Sequence, residues 1–357
     1  MRRKLRYVAG ILAMAAAVSI PVQGALAAEK KEFKIAWSIY AGYMPWGYLS
    51  ESGIMKKWAD KYGIKVEIKQ IGDYIESINQ FTAGTFDGCA ATTMDALSIP
   101  AVGGVDTTIL MTTDYSDGND GVILKGKTKL EDIKGQKVNL VELSVSHYFL
   151  ARALETVGLS EKDITIVNTS DADMISAFKT PAVTAVVTWN PALAAIDAEP
   201  DANLVFDSKK TPGELVDVMM VSTAALKANP DFGTAVVGAW FEIVGIMLKN
   251  DEAGKTARES MAKASGTDLA GYDKQLATTK LFLTPAEAHA FVADPKMKTD
   301  FDGVRKFLFD KGLYGQNAKS IDDIGIAFAD GLVLGSKDNI KLRFDAVYKK
   351  LAMDGKL

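Results

Sequence analysis

One cysteine and two histidines in 357 residues exclude several chemistries at once. Cys89 has no partner for an internal disulfide and reads as a small apolar side chain. His147 and His289 are too few and too far apart for a histidine-rich metal centre. Neither a G-x-S-x-G elbow nor an H-E-x-x-H helix occurs, so the common hydrolase signatures are missing. Beyond the N-terminal segment there is no uninterrupted apolar run of about 20 residues, the length a membrane-spanning helix needs. Repeats, low-complexity tracts and disordered linkers are absent too. No metal or other cofactor is expected.

Positive charge is also scarce where the chain does its work. Residues 1–6 carry four positive charges, residues 7–22 are apolar, and Ala25-Leu26-Ala27 matches a small-x-small cleavage site, so residues 1–27 read as a secretory signal peptide. Removing them moves the formal charge from −4 to −8. An exported acidic chain is a poor partner for nucleic acid or anionic lipid. No cysteine follows the cleavage site, which argues against a lipid anchor. A soluble periplasmic monomer is expected.

What the chain does have is a concentration of aromatics. Trp37, Tyr40, Tyr43, Trp46 and Tyr48 fall within twelve uncharged residues, where a 9% aromatic content would place about one. The window follows the apolar run Phe33 to Trp37 and reads as a strand entering a loop, then a helix after Gly42 and Pro45. Ligands of open α/β sheets sit at that junction. A core aromatic cluster beneath the loop is the alternative. Tyr48, further into the helix, reads as core.

Along the chain, strands alternate with helices in the manner of a doubly wound α/β protein. Strands are expected at 33–37, 65–71, 86–91 and 107–112, then at 122–124, 137–141, 164–167 and 184–188. Helices lie between them, including 73–83, 146–157 and 172–178. Beyond Val218 the strands are expected to stop. Residues 224–357 read as nearly all amphipathic helix, including 234–248, 285–292 and 340–351. The layout implies a first lobe over 30–116 and 221–357 and a second over 117–220, joined by two crossings.

Two motifs are decoys. Gly121 to Thr128 satisfies G-x-x-x-x-G-K-T, but Val122, Ile123 and Leu124 form a strand where a phosphate loop needs flexible backbone. Asp114 to Gly121 is acidic and turn-rich, yet lacks the ligand spacing of a calcium loop and its twelfth-position Glu.

Several local motifs occur in a telling order: Tyr43-Met44-Pro45-Trp46, Gly84-Thr85-Phe86-Asp87, Asp114-Tyr115-Ser116, Leu130 to Val138, and Val187-Thr188-Trp189-Asn190-Pro191. Together with the leader and layout, they resemble the periplasmic solute-binding proteins of ATP-binding-cassette importers, of the nitrate/sulfonate/taurine type. The resemblance covers residue 33 to the end, with the C-terminal helices matching only in character. It implies a bilobal periplasmic-binding-protein fold of type II, with a helical C-terminal extension, a small-molecule ligand and a membrane permease as partner. Within that family the chain is most similar to the branch encoded beside urea carboxylase genes, which implies urea or guanidinium as ligand.

The residues can be read for charge independently. On this fold the ligand-facing segments are 37–48, 71–79, 92–98, 112–120, 141–148, 188–193 and 214–220. They contain no Lys or Arg, and they carry Asp73, Glu76, Asp95, Asp114, Asp117, Asp120, Glu142, Glu214 and Asp217. An oxyanion would be met by Arg, Lys or helix amides, and these carboxylates would repel it. A planar cation such as guanidinium suits aromatic faces with carboxylates in the ring plane. Trp37, Tyr40, Tyr43, Trp46 and Trp189 are candidates for the face. Asp73, Asp95, Asp114, Glu142 and Asp217 are candidates for the rim, with Thr93, Ser144 and Ser146 adding hydroxyls. Asp73 and Asp95 are equally explained as helix N-caps, and Glu142 and Asp217 as solvent-facing or edge positions. His147 could contact ligand or start a helix at the surface. The competing readings are a nitrate-, sulfonate- or taurine-binding protein and an exported enzyme on the same scaffold.

Overall fold

The computed structural model describes residues 29–315 and 318–357. The signal peptide expected over 1–27 lies outside the described residues.

Fourteen strands, among the described residues, form two sheets. In chain order they are β1 (Glu32–Trp37), β2 (Lys65–Gln70), β3 (Gly88–Thr92), β4 (Thr107–Ser116), β5 (Asp120–Lys125), β6 (Lys137–Leu140) and β7 (Thr165–Asn168). They continue as β8 (Ala185–Trp189), β9 (Ala202–Asp207), β10 (Val216–Ser222), β11 (Thr279–Leu281), β12 (Gly325–Ala327), β13 (Val333–Leu334) and β14 (Ile340–Phe344). The larger sheet runs β13-β12-β14-β4-β10-β3-β1-β2, with β11 added along β4. The smaller runs β7-β6-β8-β5-β9.

The centre of the larger sheet follows from composition. β3 reads GCAAT and is buried throughout. Its Gly88 leaves only 3.2 Å between a would-be Cβ and the side chain of Val221, its cross-strand partner on β10, so a larger residue there would crowd the strand pair. β1 is parallel to β2 and β3, whereas β10 runs antiparallel between β3 and β4. Helix Asp231–Met247 covers this sheet with twelve buried residues. Phe232 stacks on Phe33 at 4.3 Å and Trp240 on Trp46 at 4.6 Å, which fixes the helix against both β1 and the aromatic window.

Two expectations are corrected. Strands do not stop after Val218: β10 continues to Ser222, and β11 to β14 complete the larger sheet. Residues 340–351 are not one helix but β14 followed by a helix over Val347–Met353. Leu342 and Phe344 are buried while Lys341 and Arg343 are half-buried, an alternation of period two that belongs to a strand. β9 was not foreseen, since ANLVFD lacks clean alternation.

The crossings between the sheets lie side by side. β4 leads through residues 117–119 into β5, and β9 returns through 208–215 into β10. Ser208 Oγ binds Ser116 Oγ at 2.7 Å and accepts from the Gly118 amide at 2.7 Å, and the Ser116 amide donates to the Leu215 carbonyl at 3.0 Å. β10, part of which the sequence layout gave to the second lobe, is hydrogen-bonded within the larger sheet.

Candidate functional site

Strand register sets the base of the site. Thr92 at the end of β3, Asp217 on β10 and Asp114 on β4 are direct cross-strand partners, so their side chains share one face in a row. Asp120 opens β5 just beyond the first crossing. Asp114, Asp120 and Asp217 are all buried, at 0%, 4% and 5% exposure.

The loop after β1 covers this row. Tyr40 donates its hydroxyl to Asp114 Oδ1 at 3.0 Å and Tyr43 donates to Asp217 Oδ1 at 2.5 Å. The two rings meet edge to face with centroids 4.8 Å apart. Behind them, Asp95 Oδ2 accepts from Tyr74 Oη at 2.7 Å and from Thr92 Oγ1 at 2.9 Å. Tyr74 in turn lies edge-on to Trp189 at 5.6 Å.

These groups line a small cavity, with about 20 Å³ open to the centre of a water-sized sphere. Tyr40, Tyr43, Tyr74 and Trp189 form aromatic walls, Asp120, Asp217, Ser38 and Thr92 give polar surface, and Val145 and Leu215 complete the lining. No Lys, Arg or His lines it. Contacts between the two sheets' bodies flank it. The Trp189 indole donates to the Ile39 carbonyl at 3.1 Å, the Ala41 amide to the Asn190 carbonyl at 3.2 Å, and the Tyr74 amide to Asp171 Oδ1 at 3.1 Å. Further out, Glu161 bonds both His147 and Lys311, while Phe307 packs edge-on against His147 and Tyr148.

Burial without a countercharge dominates the electrostatics. It raises Asp114 and Asp95 to about 6, hydrogen bonds from Tyr40 and from Tyr74 and Thr92 opposing the rise. Asp120 rises to about 7, again through burial, with the Asp114 charge adding to it. Asp217 is pushed well up by burial and then by the Asp114 charge facing it. Tyr40, Tyr43 and Tyr74 are all raised by burial and by neighbouring carboxylates, so they act as hydrogen-bond donors. Ser38 Oγ, Asp114 Oδ2, Asp95 Oδ1 and Ser146 Oγ are buried without a hydrogen-bond partner. Such a set favours a ligand that is positively charged and rich in N–H donors.

The candidates from sequence divide clearly. Tyr40, Tyr43, Trp189 and Asp217 line the cavity; Asp114 and Asp95 stand directly behind lining tyrosines. Trp37 and Trp46 are buried in the core, Trp37 under Gly47 and Trp46 on Trp240. Asp73 caps the helix Tyr74–Thr82 by accepting from the Glu76 amide. Thr93 is buried in the short helix after β3, and Ser144 caps helix Val145–Glu155 by accepting from the Ser146 amide. Glu142 does not reach the cavity. The chain turns through Leu143 at φ 64°, a left-handed conformation that leaves Glu142 and Leu143 exposed and carries Ser144 inward.

Tyr74, Asp120, Ser38, Thr92, Val145 and Leu215 were not singled out as ligand contacts. Asp120 stood among the loop acids, and Ser38 inside the aromatic window. Tyr74 directly follows the Asp73 cap, but nothing in the local sequence tells which of the two faces the cleft.

A family model described as NMT1/THI5 like matches residues 53–253, more than half of the chain. The chain belongs to the NMT1/THI5-like family. Among curated relatives, the taurine-binding periplasmic protein of Escherichia coli (strain K12) is 25% identical over 206 residues. That alignment covers 55% of this chain and 62% of the relative, just under two thirds of its length. An alkanesulfonate-binding protein from Xanthomonas axonopodis pv. citri, solved bound to MOPS, superposes with a TM-score of 0.65. It is 19% identical and covers 81% of this chain and 96% of its own. The periplasmic nitrate-binding protein of Synechocystis PCC 6803 gives a TM-score of 0.57 at 12% identity, covering 86% and 96%. At such identities these structures speak to the fold alone, which is that of the periplasmic binding proteins. The cavity of this NMT1/THI5-like chain is lined by Asp120 and Asp217 and by no Lys, Arg or His.

Proposed function

We propose that this protein is an exported solute-binding protein that captures guanidinium and delivers it to the permease of an ATP-binding-cassette importer. The observation that carries the ligand is a cavity with aromatic walls, Asp120 and Asp217 in its lining, Asp114 behind it, and no Lys, Arg or His in that lining. The names of the taurine-, alkanesulfonate- and nitrate-binding relatives support the transport role.

The lobes, in this reading, are the bodies around the two sheets, and they close about the paired crossings. Guanidinium lies against the tyrosines and Trp189 while its N–H groups reach Asp217, Asp120 and the Ser38 hydroxyl. Urea fits the size but leaves buried carboxylates unneutralised, so it binds second. For a ligand of four heavy atoms, about −1.5 kcal/mol per atom gives a dissociation constant of some tens of micromolar. Charge pairing in a desolvated site tightens guanidinium beyond that, and urea has no such gain.

The relatives' names favour a second reading, a sulfonate or nitrate ligand. A thermal-shift and calorimetry panel of guanidinium, urea, methylguanidine, agmatine, taurine and nitrate separates the two. Guanidinium should give the largest stabilisation. Stabilisation by taurine or nitrate with guanidinium inert would reject the cation reading.

A further inference from the structure

We propose that capture of guanidinium is coupled to release of a proton from the three carboxylates at the crossings, Asp114, Asp120 and Asp217. This rests on the guanidinium reading and concerns the same cavity.

The geometry places the three at the joints of the molecule. Asp114 precedes the first crossing on β4, Asp120 follows it on β5, and Asp217 leaves the second on β10. Asp114 and Asp217 are cross-strand partners, and Asp120 lines the same cavity as Asp217. The groups that face them are phenols. Tyr40 and Tyr43 come from the loop after β1, with Tyr74 beside Tyr43, and Tyr272 from helix Leu269–Leu276 feels the Asp114 charge. Arg258, whose charge acts on that tyrosine, is paired with Asp273. No Lys, Arg or His lines the cavity that Asp120 and Asp217 face.

Ser38 adds an independent pointer to a ligand. It lines the cavity, is 1% exposed, and its hydroxyl has no hydrogen-bond partner, as is also true of Asp114 Oδ2.

Three like charges cannot all ionise in so dry a cluster, so the empty site retains protons and titrates as a unit. A monovalent cation entering the cavity favours the ionised form. One carboxyl O–H bond then breaks, its electron pair stays on the carboxylate oxygen, and the proton passes to bulk water. One guanidinium replaces one proton, and the net charge of the site is unchanged.

The test is calorimetry of guanidinium chloride binding to the purified protein between pH 5 and 8, in buffers of different ionisation enthalpy. Near pH 6 close to one proton should appear per ligand bound, and the dissociation constant should rise by up to about tenfold for each pH unit lowered. Asp114→Asn, Asp120→Asn and Asp217→Asn should each bind more weakly, and at least one should release fewer protons. A constant affinity with no buffer-dependent heat overturns the coupling and leaves the ligand assignment intact. An unchanged proton count in all three variants overturns the assignment to this cluster. Absence of guanidinium binding at every pH removes the ligand reading and the coupling with it.

Discussion

The Tyr43 hydroxyl donates to Asp217 Oδ1 at 2.5 Å, tying the loop after the first strand to the strand that returns from the second crossing. Both groups are buried in the wall of the cavity, so the bond satisfies a carboxyl with little access to bulk water. Tyr43→Phe should lower the stability of the unliganded protein by about 1–3 kcal/mol, the cost of leaving a buried acceptor unpaired. Denaturant unfolding measures it, and a change below about 0.5 kcal/mol would show that Asp217 finds another donor.

Trp189 and Glu142 form a contrasting pair. Trp189 lines the cavity and Glu142 is exposed beyond the left-handed turn at Leu143. Replacing Trp189 with Leu should raise the guanidinium dissociation constant at least fivefold, from a lost cation–π contact of about 1–2 kcal/mol. Glu142→Ala should leave it within about twofold. Equal effects of the two would mean that the cavity is not where the cation binds.

Stability should depend on pH with a defined sign. The folded-state values of Asp95, Asp114 and Asp120 lie at about 6, 6 and 7, above the usual aspartate value, so between about pH 4 and 7 the folded protein binds more protons than the unfolded chain. The contribution of these groups is complete below about pH 4 and lost as pH rises, at up to about 1.4 kcal/mol per pH unit for each proton. Glu161, held below its usual range by His147 and Lys311, works the other way, and its contribution fades as pH falls. Unfolding of the unliganded protein from pH 4 to 8 should show declining stability, and Asp120→Asn should flatten the decline. A rising curve across that range would contradict the burial of these carboxyls.

Gly42 is fixed by space. A Cβ there would meet Tyr40 Cε1 at 2.5 Å and both Asp114 carboxylate oxygens at 3.0 Å. Gly42→Ala should push Tyr40 off Asp114, costing about 1–3 kcal/mol and weakening ligand binding in parallel. Wild-type melting temperature with normal affinity would show that the loop absorbs the methyl group.

Much of the scaffold was legible because short strands with buried residues carry their own signature. Phe33 to Trp37 is one case, and the helix beginning at the Asp73 cap is another. IKLRF at 340–344 was read as helix although its side chains alternate, because a five-residue run is too short to declare its period without the neighbour it pairs with. The site was half legible. Asp217 and Glu142 both interrupt apolar runs, and the local sequence does not separate them. One is enclosed between β3 and β4, the other is turned outward by a backbone twist at Leu143. Tyr74 and Asp73 differ by one position on a helix start, and only the opposing lobe decides which faces the cleft.

The two sheets differ in how their strands are spread along the chain. The smaller draws all five from the unbroken stretch 120–207, whereas the larger needs β1 near the beginning and β14 near the end. A chain made N-terminus first can therefore complete the smaller sheet while the larger still waits for its last strand. The carboxylate row, anchored on β4 and β10, therefore sits in the body whose sheet is complete only once β14, from near the end of the chain, has paired beside β4.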